Sequence, residues 1–486
     1  MKNILPLIIL ISIVGCSDST NEKDALFVSI NEEVLENSTA YNDLKEETTV
    51  IGHRLTGSEN GHKAEQFIYD KLIKYGFEDV VFQEFEVDAW SRESLSMTLT
   101  TNGQTAELSA VSLGHSPVEA SVSAGIVDMG NGLVEDYENI GDFLSGKLAL
   151  VYISILPETS EGKKNLHRSE KASLAFKHGA AGIIIFNQVP NGVLLTGTAS
   201  VSGELLDGPA VCIGYEDGLT IKEMLALDPE STTASINMTN YSGPIKARNV
   251  VATIKGSTSP EEEVIIGGHL DSWDLATGAV DNGIGSFAVL DIARTFIANN
   301  LHPTRTTKFV LFMGEEQGLL GSRHFVKQAK ESGEIDKIKF MMNLDMTGNP
   351  IGLSVTGKDI DTTFFYDLNN RINAIDTVFQ GSFNSRAGLH SDHQPFMLEG
   401  IPILMMRSNL DRSVYRCYHA DCDDINLVNP EHIRNTTRFG AMSLFSLVNA
   451  ETLPAAVMTS EQTRQFMIDK GLEENLKMQG DWRWEE

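Results

Sequence analysis

The sequence predicts an α/β protein: a mainly parallel mixed sheet flanked by helices, with a second module inserted into it. Three observations carry that expectation. Between residues 244 and 455, short apolar runs alternate with stretches of helical period, as parallel strands joined by crossover helices do. Upstream, residues 116–243 hold a strand–helix–strand run of their own, bounded by glycines. The length, 486 residues, accommodates two or three units at roughly 150 residues each.

The first segment reads as an address. Lys2 precedes an apolar run, Ile4 to Val14, interrupted only by Pro6 and Ser12. The run is too short to span a bilayer as a helix but fits the core of an export signal. It ends in Ile13-Val14-Gly15-Cys16, which resembles a bacterial lipobox; the resemblance implies cleavage there and lipidation of Cys16. A chain anchored in this way is expected outside the cytoplasm, at the outer membrane or facing the periplasm, with residues 17–24 as a polar tether.

Residues 25–115 open the main domain. Ala64, Phe67, Ile68 and Leu72 recur at helical spacing, Ser58 is the expected N-cap and Gly76 the C-cap. Alternation from Val80 to Val87 predicts a strand. In the inserted block, the runs Ala124 to Gly130 and Gly146 to Ile153 read as buried strands. Lys171 to His178 reads as a helix leading into a strand ending at Phe186. The block shows no ligand or nucleophile pattern, so no chemistry is assigned to it, and His167 and His178 are read as surface histidines. Residues 244–455 return to the main domain, with strands at 264–268, 308–313, 340–344 and 401–406. The helix from Gly283 to Ala298 carries Phe287, Leu290 and Ile297 on one side. Residues 456–486 form a charged tail, helical from Glu461, with Trp482 and Trp484 near its end.

The balance of 67 acidic against 38 basic side chains, a net charge of −29, argues against nucleic acid as a partner, since phosphate binding needs clustered Lys and Arg. Four cysteines are too few for a disulfide scaffold.

Chemistry concentrates where strands end. His269 with Asp271, Glu315 with Glu316, and Asp345 each follow a buried apolar run, and His419 lies in a later loop. In an open α/β sheet the functional crevice lies beyond the carboxyl ends of the strands, so these residues converge if the strands are neighbours. Two histidines and several carboxylates, with no thiolate, suit a pair of zinc ions bridged by a carboxylate and a water. Adjacent Glu315 and Glu316 point in different directions, leaving one to ligate and the other to take a proton.

Gly267-Gly268-His269-Leu270-Asp271-Ser272-Trp273-Asp274, then Gly278-Ala279-Val280-Asp281-Asn282-Gly283, Glu315-Glu316-Gln317-Gly318 and Asn343-Leu344-Asp345 resemble the metal-binding core of the di-zinc aminopeptidase and glutamate carboxypeptidase family. The plasma glutamate carboxypeptidase branch is the part of the family it looks most like. The likeness begins at Gly52-His53-Arg54-Leu55-Thr56-Gly57-Ser58-Glu59-Asn60 and extends to Asn429-Pro430. It includes the inserted block, which resembles a protease-associated domain. The resemblance implies a zinc-peptidase fold in which His269 and Asp345 hold one ion, Glu316 and His419 the other, and Asp281 bridges them. It further implies Glu315 as general base, Asp271 behind His269 fixing its tautomer, a cis Asp281-Asn282 bond, and Asp392 near the substrate. The sequence departs from the family at Cys417-Tyr418-His419-Ala420-Asp421-Cys422-Asp423, where Cys417 and Cys422 are a candidate disulfide clipping the His419 loop.

The function implied is an exported zinc-dependent exopeptidase acting on dipeptides or on the N-terminal residue of small peptides. It would carry two zinc ions per chain, meet the membrane through its lipid anchor, and have a second copy of itself as a candidate partner. Glutaminyl-peptide cyclase chemistry and a non-catalytic binding lipoprotein are the alternatives; the complete set of ligands and base argues against both.

Overall fold

The four apolar runs of the C-terminal half lie side by side. In the computed structural model, which describes residues 18–484 save positions 139 and 160, they form strands Ser259–His269, Arg305–Phe312, Ile338–Asn343 and Ile403–Met406. All four are parallel, in the spatial order 305–312, 259–269, 338–343, 403–406. Phe312 stands opposite His269, and Asn343 opposite Gly267 and Met405, so the carboxyl ends finish along one edge. These strands are apolar at nearly every position because both faces are covered. Val264, Ile266, Phe309 and Met342 enter one cluster; Ile265, Val310, Phe312 and Met341 enter the other. Antiparallel neighbours at 352–356 and 233–254 make the sheet mixed.

Helix Ile284–Ala298 is apolar on nearly all sides and buried accordingly. Its Phe287, Leu290 and Phe296 join Phe439 and Leu444 of helix Pro430–Val448 in the core against the sheet. Helix Glu59–Tyr75 is capped as the sequence predicts: the Ser58 side chain accepts from the Gly61 N–H, and Gly76 closes the helix at φ 100°. The expected tether is different. Helix Asp18–Asn37 already occupies most of it, drawn in because Phe27, Ile30 and Val34 repeat at three and four residues and are buried. Cys16 and the apolar run before it lie outside the described residues. Among the described residues no helix is long and apolar enough to cross a membrane.

The inserted block builds a small sheet from 110–112, 119–128, 148–152, 182–186 and 210–213, with helix Arg168–Lys177 beside it. Two 22-residue strands, Val80–Thr101 and Thr233–Ile254, run through both regions, paired from Val80 opposite Ala252 to Thr100 opposite Thr233. The expected boundary at 243/244 therefore falls inside a strand. Pro244 is tolerated there because, among the described residues, 240–249 pair with 80–101 alone; the other neighbours join only at 233–239 and 250–254. The tail is two short helices, Ser460–Asp469 and Glu473–Met478, separated at Gly471 with φ 69°. Trp482 and Trp484 fold back against the cluster containing Met467.

Arg54 explains the motif around it. Its guanidinium is fully buried, pairs with Glu47 at 3.1 Å, and donates to the carbonyls of Leu270, Thr277 and Gly278. It thereby gathers the loop between His269 and Asp281 against the second helix, Ala40–Val50. Burial raises the Glu47 carboxyl to about 7 despite that partner. Arg54→Met strands several carbonyls and a buried carboxyl, so a loss of about 3–5 kcal/mol is expected in equilibrium denaturation. A loss below about 1 kcal/mol would mean that the loop holds itself.

Candidate metal centre

The strand ends deliver their polar residues to one place. His269 is the last residue of its strand, Glu315 and Glu316 follow Phe312 closely, and Asp345 lies two residues past Asn343. Asp281 comes from the short turn Ala279–Gly283 that opens helix Ile284–Ala298, and His419 from the loop after strand Ile403–Met406. Ligand atoms of His269, Asp281 and Glu316 all lie within 4.8 Å of one another. Asp281 stands between the two imidazoles: one carboxylate oxygen is 3.3 Å from His269 Nε2, the other 3.0 Å from His419 Nε2. Each imidazole has a second carboxylate, Asp345 at 3.6 Å from His269 and Glu316 at 2.9 Å from His419.

Neighbouring groups hold this arrangement. The Asp271 carboxylate is fully buried and accepts from the N–H groups of Glu315 and Glu316 at 3.1 and 3.3 Å. Its backbone carbonyl, at 3.1 Å, takes the His269 Nδ1–H, with the carboxylate farther off at 3.6 Å. Asp423 accepts from the N–H groups of Val280 and Asp281 at 2.8 and 3.0 Å, tying the His419 loop to the Asp281 turn. Ser391 donates to Asp345 at 2.6 Å. The Asp281–Asn282 peptide is cis. Asn282 bonds to Leu344 and Met346 on either side of Asp345, and Gly285 is where it is because a Cβ there would sit 2.2 Å from the Asn282 side-chain oxygen. Cys417 and Cys422 are joined in a disulfide across the His419 loop.

Six carboxyl groups (Asp271, Asp281, Glu315, Glu316, Asp345, Asp392) surround two imidazoles, a strongly anionic and largely buried set. Burial opposes ionisation of Asp281, yet the two imidazoles hold its carboxyl well below the usual range. Burial also opposes charge on the imidazoles. The charges of Glu315 and the neighbouring aspartates nonetheless push His269 well up, and Glu316 with Asp281 carries His419 up to about 9, against Arg168. Burial raises Glu315 and Glu316, and raises Asp392 to about 7. All of these shifts but that of Asp281 work to reduce net negative charge, which bound cations would do directly. Although Asp281 and Asp345 lie near it, buried His269 Nε2 makes no aligned hydrogen bond among the described residues, as suits a ligand atom. The donors are all nitrogen and oxygen, in the combination zinc accepts.

Of the other residues read from the sequence, Asp392 stays with the centre, fully buried and with no surface open to solvent. Asp274 pairs with Arg92 at 3.0 Å. His393 is buried against the Gly388 carbonyl, and His390 stacks on His167 at 5.7 Å. Cys212 is a buried free thiol. The inserted block, to which the sequence assigns no chemistry, reaches the centre. Arg168 Nη2 lies 3.0 Å from His419 Nδ1, Thr196 N–H donates to the His419 carbonyl at 2.7 Å, and Leu195 bridges Ala420. No local signal marks Arg168; an isolated arginine at the start of a helix looks like many others.

Comparison with known proteins agrees with this geometry. Residues 249–443 match the model of peptidase family M28, and residues 118–221 that of the PA domain. Rat carboxypeptidase Q is 26% identical over 412 residues, covering 83% of this chain and 84% of its own. Aminopeptidase YwaD of Bacillus subtilis (strain 168) is 26% identical over 425 residues, 86% of each chain. Among solved structures, a peptidase M28 precursor from Shewanella amazonensis SB2B superposes with a TM-score of 0.75 at 25% identity, covering 90% of this chain and 100% of its own. A zinc aminopeptidase from Bacillus subtilis shares the fold, with a TM-score of 0.64 at 24% identity over 87% of this chain and 98% of its own.

Proposed function

We propose that the chain is a metallo-exopeptidase of peptidase family M28, whose model residues 249–443 match, and that it removes single amino acids from dipeptides or small peptides with a free amino terminus, using two zinc ions. His269 and Asp345 would hold one ion, Glu316 and His419 the other, with Asp281 shared between them. The observation that carries this reading is the position of Asp281, with its two oxygens facing different imidazoles at 3.3 and 3.0 Å and each imidazole meeting a further carboxylate. Zinc bound there supplies a Lewis acid for the scissile carbonyl and a water acidified toward neutral pH.

The chain's own residues do the rest. Asp271, through its two bonds to the amides of Glu315 and Glu316, fixes the direction in which each glutamate leaves the backbone. Glu316 is thus committed to His419 and the centre, whereas Glu315, outside the ligand set, accepts the proton of the attacking water and returns it to the departing amine nitrogen. The Asp271 carbonyl fixes the His269 tautomer, leaving Nε2 as the donor atom. Asp392 lies within the field of His269 and Asp345 and is a candidate on the substrate side. The leader ending at Cys16 supports an exported, lipid-anchored enzyme.

Hydrolysis of free dipeptides, N-blocked dipeptides and longer peptides, before and after chelation and zinc return, tests the reading. Free dipeptides are expected to be cleaved, N-blocked ones spared, with activity lost on chelation and restored by zinc. Cleavage of longer free-amine peptides at equal rates would move the assignment to a general aminopeptidase. Cleavage that survives chelation would overturn the metal mechanism.

A further inference from the structure

We propose that Arg168, supplied by the inserted module, is a positioning residue that weakens the hold of the Glu316/His419 half of the centre on its metal; this rests on the two-zinc reading above. The two imidazoles are backed by opposite kinds of group. Behind His269, Nδ1 faces acceptors, the Asp271 carbonyl and carboxylate. Behind His419, Nδ1 faces the Arg168 guanidinium at 3.0 Å. A guanidinium only donates, so a hydrogen bond across this contact requires an uncharged His419 ring accepting at Nδ1, and a charged ring would meet the cation with its own N–H. A neutral imidazole accepting at Nδ1 carries its hydrogen on Nε2, the atom directed at Asp281 and Glu316, which is where a cation needs a lone pair. The contact with Arg168 and a metal on Nε2 therefore compete, and the positive charge of Arg168 adds to the competition.

Arg168 is held in this position. It is 6% exposed, and no carboxylate pairs with it among the described residues. Its Nε donates to the Thr198 carbonyl at 3.0 Å, and the guanidinium lies across Gly197, where a Cβ would come within 1.8 Å of Nη2. The same loop is pinned to the His419 loop by the Thr196 and Leu195 contacts and by Asp421 N–H donating to the Leu194 carbonyl at 3.2 Å. Insert position and metal occupancy are thus linked, and linkage is reciprocal: what displaces the insert loop tightens this half, and metal entering it loosens the loop.

The test is a zinc titration of the metal-stripped full chain against a chromophoric chelator, with thermal unfolding to verify that each variant is folded. Arg168→Gln removes the charge and offers an acceptor to Nδ1–H; one of the two binding steps should tighten by about tenfold or more, the other staying within about twofold. Arg168→Lys keeps the cation and should remain near the wild type. Gly197→Ala, which displaces the guanidinium without altering it, should tighten the same step as Arg168→Gln. Two steps in the wild type with no tightening in folded Arg168→Gln would overturn the role of Arg168 and leave the two-zinc centre standing. Weakening in both Arg168 variants would do so too, assigning Arg168 to loop packing. Fewer than two steps in the wild type would overturn the centre itself, and this inference with it.

Discussion

Glu315→Gln is expected to lower the turnover of a free dipeptide by about 10²–10⁴-fold while leaving the zinc content of the chain unchanged. The two glutamates are neighbours with different environments. Glu316 lies 2.9 Å from His419 Nε2, whereas Glu315 borders His269 and Asp345 without being one of the three carboxylates that face the imidazole Nε2 atoms, Asp281, Asp345 and Glu316. Glutamine has the shape of glutamate but cannot take up a proton, and the Asp271 bond to the residue 315 amide does not depend on the side chain. Metal content and rate should therefore separate. Full activity in Glu315→Gln would remove the residue from the mechanism, and loss of zinc would reassign it to the ligands.

Asp281→Ala should abolish both occupancy and turnover, with zinc affinity falling by well over 100-fold, more than the usual cost of losing a residue that merely supports a ligand. The reason is that, among the described residues, Asp281 alone pairs with both imidazoles. Without it His269 and His419 each keep one carboxylate, and the two halves no longer share a ligand. Metal analysis after exhaustive dialysis checks this; retention of two zinc ions would show that the bridge is not Asp281. The fold should persist, because Asp423 bonds to the backbone amides at 280 and 281 and not to the Asp281 side chain.

Much of this was legible before any coordinates. The parallel strands announced themselves as apolar runs of strand length, and because their register aligns Phe312 with His269 and Asn343 with Gly267, residues just past each run had to meet at one edge. Caps at Ser58 and Gly76 follow local rules of the same kind. The expected boundary at 243/244 falls inside a strand, whose edge, unpaired on one side there, accepts Pro244. The tether misled because Phe27, Ile30 and Val34 become a buried face only when a core is present to receive them.

The sequence by itself determined which residues could ligate and which could act as base, since both depend on residue type and on position relative to a strand end. Only the tertiary structure decided what stands behind each ligand. Arg168 and His419 are 251 residues apart, Asp423 and Val280 143, and Arg92 and Thr196 104. Contacts across such separations are set by how two folded regions pack together, and no periodicity or motif in the chain encodes them locally. The chemistry of the centre is therefore written at the strand ends, while its tuning depends on where the inserted module comes to rest.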